Sequence, residues 1–444
     1  MTRLKCLSAL VASACAIVSA PAHADAVTEW SALAMGCANR PGPPVLLDLA
    51  LVNTAMHDAI QAIEKRYQPY FATPSATGTE SRAAAAAAAA RRVLGTVCPP
   101  AAQAGLDTAF APYLAGNDPG LVVGYAAGDA LLTKLRGTTT TIPEPFRGGT
   151  DPGDWRPTPI TEAPMAYVYL VTTEPFVMTS PSQFRPGPPP ALTSQKYLRE
   201  YNEVKAVGAV ENHPPVGACP APRRTDMARF WGGNLVLQWY QVPRDVALDR
   251  QLSLGDTARL LALTSLAAAD ALIAVWDSKY HYNYWRPITA IRLGDTDGNG
   301  ATAPDAAWTP FIQSNHFPAG SQNPAYPDYV SGANGLTASV VTTLQLFFGS
   351  DWVPIEIYKA VPATVAICTN PRVYRRLSDA MDEVVEARIL LGIHFRTADV
   401  EARRLGARVA TWTFANALRP VSPPKHHDHD HDDKHDGKHD HDHD

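Results

Sequence analysis

"RQLSLGDTARLLALTSLAAADALIAVWDSKY", residues 250–280, decides the fold class. Its apolar residues start at helical spacing and then run together, the pattern of a long helix that passes from amphipathic to buried. Working outward, residues 45–66, "VLLDLALVNTAMHDAIQAIEKR", repeat the helical spacing, and "TESRAAAAAAAARRVLGTV" is a helix by propensity, because Ala costs least there. Downstream, "SGANGLTASVVTTLQLFFG" and "RVYRRLSDAMDEVVEARILLG" each read as a helix closed by Gly, and "TADVEARRLGARVATWTFANAL" as another. Alternating strand patterns are scarce. The chain is therefore expected to be mainly α-helical, with one domain over residues 25–420.

The segments between and beyond these helices have other characters. Residues 141–190 hold twelve prolines, so they form an extended loop region, a cover over a site or, as expected here, a wrap around the core. Residues 1–24 read as a secretory signal: a basic "MTRLK", a short apolar "LSALVASACAIVSA", and an A-x-A site with cleavage after Ala24. A lipoprotein reading through Cys15 is disfavoured, because no large aliphatic residue stands three positions before it. The expected location is periplasmic or secreted, with no membrane span in the mature protein. Four cysteines then remain, Cys37, Cys98, Cys219 and Cys368, enough for up to two disulfides with three pairings open. Residues 421–444 form a His/Asp-rich tail expected to be disordered and to bind divalent transition metals loosely. The last twenty residues carry three Lys and eight Asp, which equals the whole formal charge of −5. The rest is near neutral, and nothing indicates a nucleic-acid partner.

Three blocks carry chemistry. In "DSKYHYNYWRPITAIR" (277–292), Lys279 and Arg286 lie two helical turns apart among aromatics, and Pro287 makes Arg286 a helix boundary. In "YVSGANGLTAS" (329–339), Ser331 is a good N-cap and Gly332 lets backbone approach a ligand at the positive end of a helix. In "EARILLGIHFRTADVE" (386–401), Gly392 breaks the helix between Arg388 and His394, which lets the two converge. Two Arg, one Lys, one Ser, helix-end N–H groups and one His suit a tetrahedral or trigonal-bipyramidal oxyanion.

The order K-x6-R-P, Y-x-S-G, R-x5-H resembles the vanadium-dependent haloperoxidases and their relatives in the type 2 phosphatidic acid phosphatase superfamily, the bacterial haloperoxidase-like branch above all. "NTAMHDAI", "GDWRPTP", "SPSQFRPGPPPAL" and "RTDMARFW" also look like that branch, so the likeness covers most of residues 30–418. The resemblance implies a helical bundle that holds the site. It implies vanadate as prosthetic group, with His394 as axial ligand and Lys279, Arg286, Ser331, Gly332 and Arg388 around its oxygens. Hydrogen peroxide and halide would be the reactants. In the phosphatase branch the His394 position is the nucleophile and a phosphate ester the substrate; a weak oxyanion- or metal-binding protein is the remaining alternative.

One position departs from the family. Ala333 stands where relatives usually carry an acid/base His, a role typically worth ~10²–10⁴-fold. His316, in the loop that leads into Ser331, is the first candidate to supply that proton and His281 the second, although loop or surface roles are the expected reading for both. His57 is expected to be a packing residue. "DTDGNG" (295–300) opens like a calcium loop, but Ala306 replaces its closing Glu, so a polar turn is expected and Ca2+ is the lesser alternative. The halide, the organic substrate and the oligomeric state are not fixed by the residues.

Overall fold

The computed structural model describes residues 25–421, apart from 38, 39, 41, 138, 215–218, 220, 319, 320 and 360–366. Thirteen α-helices occur among the described residues: α1 (Ala26–Cys37), α2 (Val45–Glu64), α3 (Arg82–Val97), α4 (Pro100–Leu114), α5 (Gly120–Leu132), α6 (Gln195–Val207), α7 (Arg223–Trp231), α8 (Leu235–Asp249), α9 (Leu254–Tyr282), α10 (Pro287–Arg292), α11 (Gly332–Phe348), α12 (Leu377–Leu390) and α13 (Arg396–Asn416). The fold is mainly α, as the helical spacing predicts. The leader and the His/Asp tail lie outside the described residues.

The organising element is α9. Ser253 caps it by accepting the Asp256 N–H, and Asn283 ends it in the left-handed region at φ 45°. Its residues are buried almost without a break from Gly255 to Lys279. By length and composition alone it could cross a membrane, yet its most apolar window is wholly buried inside the protein, as befits a core helix. Helices α2, α11 and α13 pack around it, with α3 and α5 beyond α2. The Ala84–Ala90 run of α3 is entirely buried, and its small side chains let α2 and α5 come close. Helices α11 and α13 are nearly in contact at the backbone. A Cβ on Gly406 would lie 2.2 Å from the Gly335 carbonyl oxygen, so only glycine fits there.

The proline-rich segment is a wrap. Asp270 of α9 accepts the N–H groups of Phe176, Val177 and Met178 at 2.6–2.8 Å, and Asp277 takes a bidentate pair from Arg185, each bond 2.7 Å. A buried carboxylate that receives several donors is the compensation an extended, unpaired backbone needs. His57, as expected, is a packing residue: fully buried, its Nε2 lies 3.1 Å from the Gln68 carbonyl, and burial pushes it down to about 4.

The helix expected over 372–392 begins later. Arg372–Tyr374 form a strand, β2, antiparallel to β1 (Ile355–Ile357), with Glu356 opposite Val373. The alternation turns Arg372 and Tyr374 inward. There Arg372 bonds Asp226 at 2.7 Å and Glu383 at 2.8 Å, and Tyr374 bonds Glu383 at 2.9 Å. A helix could not send alternate residues to one face. The disulfides are Cys37–Cys98 and Cys219–Cys368. Residues 295–300 make a polar turn in which Asp297 accepts from the Asn299 N–H and the Thr302 hydroxyl. Among the described residues no group of three or more His, Cys, Asp or Glu is placed to hold a metal ion.

Candidate active site

The three blocks converge at one end of α9. Lys279, in its last turn, is fully buried and donates to the carbonyls of Pro327 at 2.6 Å and Asp328 at 3.1 Å. Its ammonium also lies 4.8 Å from the centre of the Tyr326 ring. Arg286 is the residue before α10, extended at φ −89°, ψ 159°, with Pro287 opening the helix as its sequence position predicts. It donates Nε to Tyr326 O at 2.8 Å and Nη1 to Ile393 O at 2.7 Å. Its Nη2 is buried and has no partner among the described residues.

Helix α12 brings in Arg388, whose Nη1 bonds the Trp231 carbonyl at 3.3 Å while its buried Nε has no partner among the described residues. Gly392 then turns the chain at φ +73°, where a Cβ would fall 2.5 Å from the Gly208 carbonyl oxygen. This break carries His394 round to the same centre. His394 Nδ1 is 2.6 Å from Asp328 Oδ1, and Asp328 Oδ2 accepts the Phe395 N–H at 3.3 Å. With Asp328 ionised, Nδ1 carries the proton it donates and Nε2 keeps its lone pair. Burial, followed by the charges of Arg286, Lys279 and Arg388, holds His394 well below its ordinary value, so the ring is neutral. Burial pushes Asp328 up to about 7, against the pull of Arg286 and Lys279.

The mouth of α11 closes the group. Ser331 accepts the Asn334 N–H, and its own N–H bonds Ala398 O at 2.9 Å, tying α11 to α13. The amides of Gly332 and Ala333 lie in the first turn, where no intrahelical acceptor exists. Gly332, Ala333, Arg388, Ile393, Tyr326 and Trp276 share the wall of a cavity of about 400 Å³.

These donors fit a bound oxyanion. Among the described residues, buried guanidinium N–H groups at Arg286 and Arg388 have no partner, which is costly unless something accepts them. The neutral His394 ring lies within the field of Arg286, Lys279 and Arg388, and its hydrogen bond to Asp328 uses Nδ1, not Nε2. Vanadate would meet His394 as ligand, with Lys279, Arg286, Arg388, Ser331 and Gly332 toward its oxygens. Asp328, three residues before Ser331, is a site residue that the sequence does not mark, because its partner His394 lies 66 residues further on.

The structure does not bring His316 to this group. Its Nδ1 accepts from Arg229 Nε at 2.8 Å, and burial with the Arg229 charge pushes it down to about 4. Its lone pair is taken and it does not line the cavity, which agrees with the structural role expected of it rather than with its candidacy for the missing proton. His281 lies exposed on the last turn of α9, its ring 4.7 Å from that of Tyr282, and also outside the wall. Among the described residues that line the cavity, only Arg388 and Tyr326 are ionisable.

Comparison with known proteins agrees with this geometry. The family model described as the VCPO second helical-bundle domain matches residues 259–423, the stretch that contains the whole site. A vanadium chloroperoxidase of Curvularia inaequalis is 24% identical over 285 residues, which is 53% of this chain and 46% of that protein, so the match spans about half the length of its relative. Among solved structures, a bacterial vanadium-dependent iodoperoxidase superposes with a TM-score of 0.72 at 22% identity, covering 90% of this chain and 97% of the other. A bacterial vanadium-dependent chloroperoxidase in its holo form gives 0.64 at 18%, covering 85% and 94%. Residues 259–423, which hold every block of the site, thus match the VCPO second helical-bundle domain, and the chain as a whole shares its fold with bacterial vanadium haloperoxidases.

Proposed function

We propose that the chain is an exported enzyme that oxidises halide with hydrogen peroxide at a vanadate held by His394, and that it does so without the usual acid/base histidine, replaced by Ala333. One observation carries the reading: Arg286 and Arg388, each with a buried donor that has no partner among the described residues, act by charge on a neutral His394 whose Nδ1 Asp328 holds. When bound, vanadate supplies a Lewis-acid centre that activates peroxide toward halide. Lys279 and the two arginines neutralise the oxyanion's charge in a site with little water. Ser331 and the α11 amides orient its oxygens, and Asp328 fixes the His394 ring. The methyl of Ala333 can neither give nor take a proton. Export is supported by the leader sequence and by two disulfides, which persist in oxidising compartments.

The Asp328–His394 pair also favours a second reading, phosphate-ester hydrolysis with His394 Nε2 as nucleophile, since a carboxylate-held imidazole suits both roles. Ala333 weighs harder against it, because an alkoxide leaving group needs a proton. The test is direct: purified protein with vanadate, peroxide and bromide should brominate a dye, whereas a phosphate ester without vanadate should remain intact. Inactivity of the first mixture at every pH would defeat the haloperoxidase reading. Inactivity of both would favour a binding protein that kept the fold.

A further inference from the structure

The cavity beside the site has a definite character. At about 400 Å³ it falls in the size range of small-molecule pockets. Leu46, Leu272, Leu336, Ile312 and Trp276 give it apolar walls, and no carboxylate among the described residues lines it. The cation Arg388 is among its lining residues, so a positively charged occupant is disfavoured. Two side-chain amides face it: Gln322 makes no hydrogen bond among the described residues, and Asn234 uses only its oxygen, accepting the Val236 N–H at 3.1 Å. Spare amide groups in an apolar wall orient one hydroxyl or N–H of a ligand. Ala333 opens directly onto this space, and a larger side chain there would fill part of it.

We propose that this cavity binds the organic acceptor itself, a neutral phenol- or indole-like aromatic of one or two rings, so that halogen is transferred inside the protein rather than by hypohalous acid released to solvent. The proposal rests on the haloperoxidase reading. The transfer balances: an aromatic C–H bond is replaced by carbon–halogen. One halide ion is oxidised by two electrons, one hydrogen peroxide is reduced, one proton is consumed and two waters form. An electron-rich ring is required because the transferred halogen is the electrophile. The loss of an imidazole at position 333 thus makes room for the acceptor next to Gly332 and Arg388.

The experiment uses the full-length protein and 2-naphthol. Without vanadate, calorimetry and tryptophan fluorescence should show saturable 1:1 binding. Ala333→Phe and Gln322→Trp, which narrow the cavity from two sides, should each weaken it by roughly tenfold or more with an unchanged melting temperature. With vanadate, peroxide and bromide added, 2-naphthol in competition with the bulkier phenol red should be brominated in a ratio roughly tenfold above the one that added hypobromous acid gives. Unsaturable binding, equal binding by both variants, or the free-hypobromous-acid ratio would overturn the proposal. Saturable, variant-sensitive binding with no bromination would uphold the pocket and defeat the haloperoxidase reading instead.

Discussion

Two buried histidines that lie near arginines, His316 and His394, are held in opposite ways. At His316, the Arg229 guanidinium donates into Nδ1, so the ring's lone pair is used and its one proton sits on Nε2. At His394, Asp328 takes Nδ1, and Arg286 and Arg388 each keep a buried donor with no partner among the described residues. Both rings are buried and both are held neutral. The partner atom decides the role: a donor partner consumes the lone pair, and an acceptor partner exposes it.

The comparison can be broken by substitution. His394→Ala should have the largest effect, lowering halide oxidation by on the order of 10⁴-fold toward background, measured by dye bromination. Ala333→His should move the other way, raising turnover by about 10²-fold as a proton donor returns; no gain would mean that proton transfer is not the missing step. Asp328→Asn should weaken vanadate binding by roughly 10–100-fold, read from the vanadate concentration that restores half-maximal activity.

His316→Gln should be the mildest for function: bromination within about twofold, with a stability loss of about 1 kcal/mol from the lost hydrogen bond between Arg229 Nε and the ring. Its pH signature is specific. The folded value of about 4 lies below the ~6.5 of an unfolded histidine, so the unfolded chain takes up the proton first as pH falls. The stability that His316 contributes is therefore present above about pH 6.5 and is lost toward pH 4. The lead of the wild type over His316→Gln in thermal melts should shrink across that window; a constant gap would place the histidine's role elsewhere.

Much of the fold was legible because its information is local. The periodicity of 250–280 and the Ala run of 84–90 announce helices that need no partner to be recognised, and Gly349 ends α11 in the left-handed conformation expected of a helix-stop glycine. The strand at 372–374 was not legible, since Arg372 faces inward only because Asp226 and Glu383 wait there, far away in sequence or on another element. In the site, Lys279, Arg286, Ser331, Gly332, Arg388 and His394 could be named from spacing and likeness. Asp328 could not, because its value lies in a 2.6 Å contact across 66 residues. His316 could be offered only as a candidate for the same reason: proximity to Ser331 in sequence says nothing about Arg229, which bonds it.

The central claim is that His394 and the cations around it form an oxyanion site with His394 Nε2 as the ligand atom. A crystal of the protein soaked in vanadate tests it most directly. The account predicts electron density for vanadium bonded to His394 Nε2, with Arg286 and Arg388 turned to its oxygens. Vanadate absent at saturating concentration, or bound elsewhere with His394 Nε2 unligated, would contradict it.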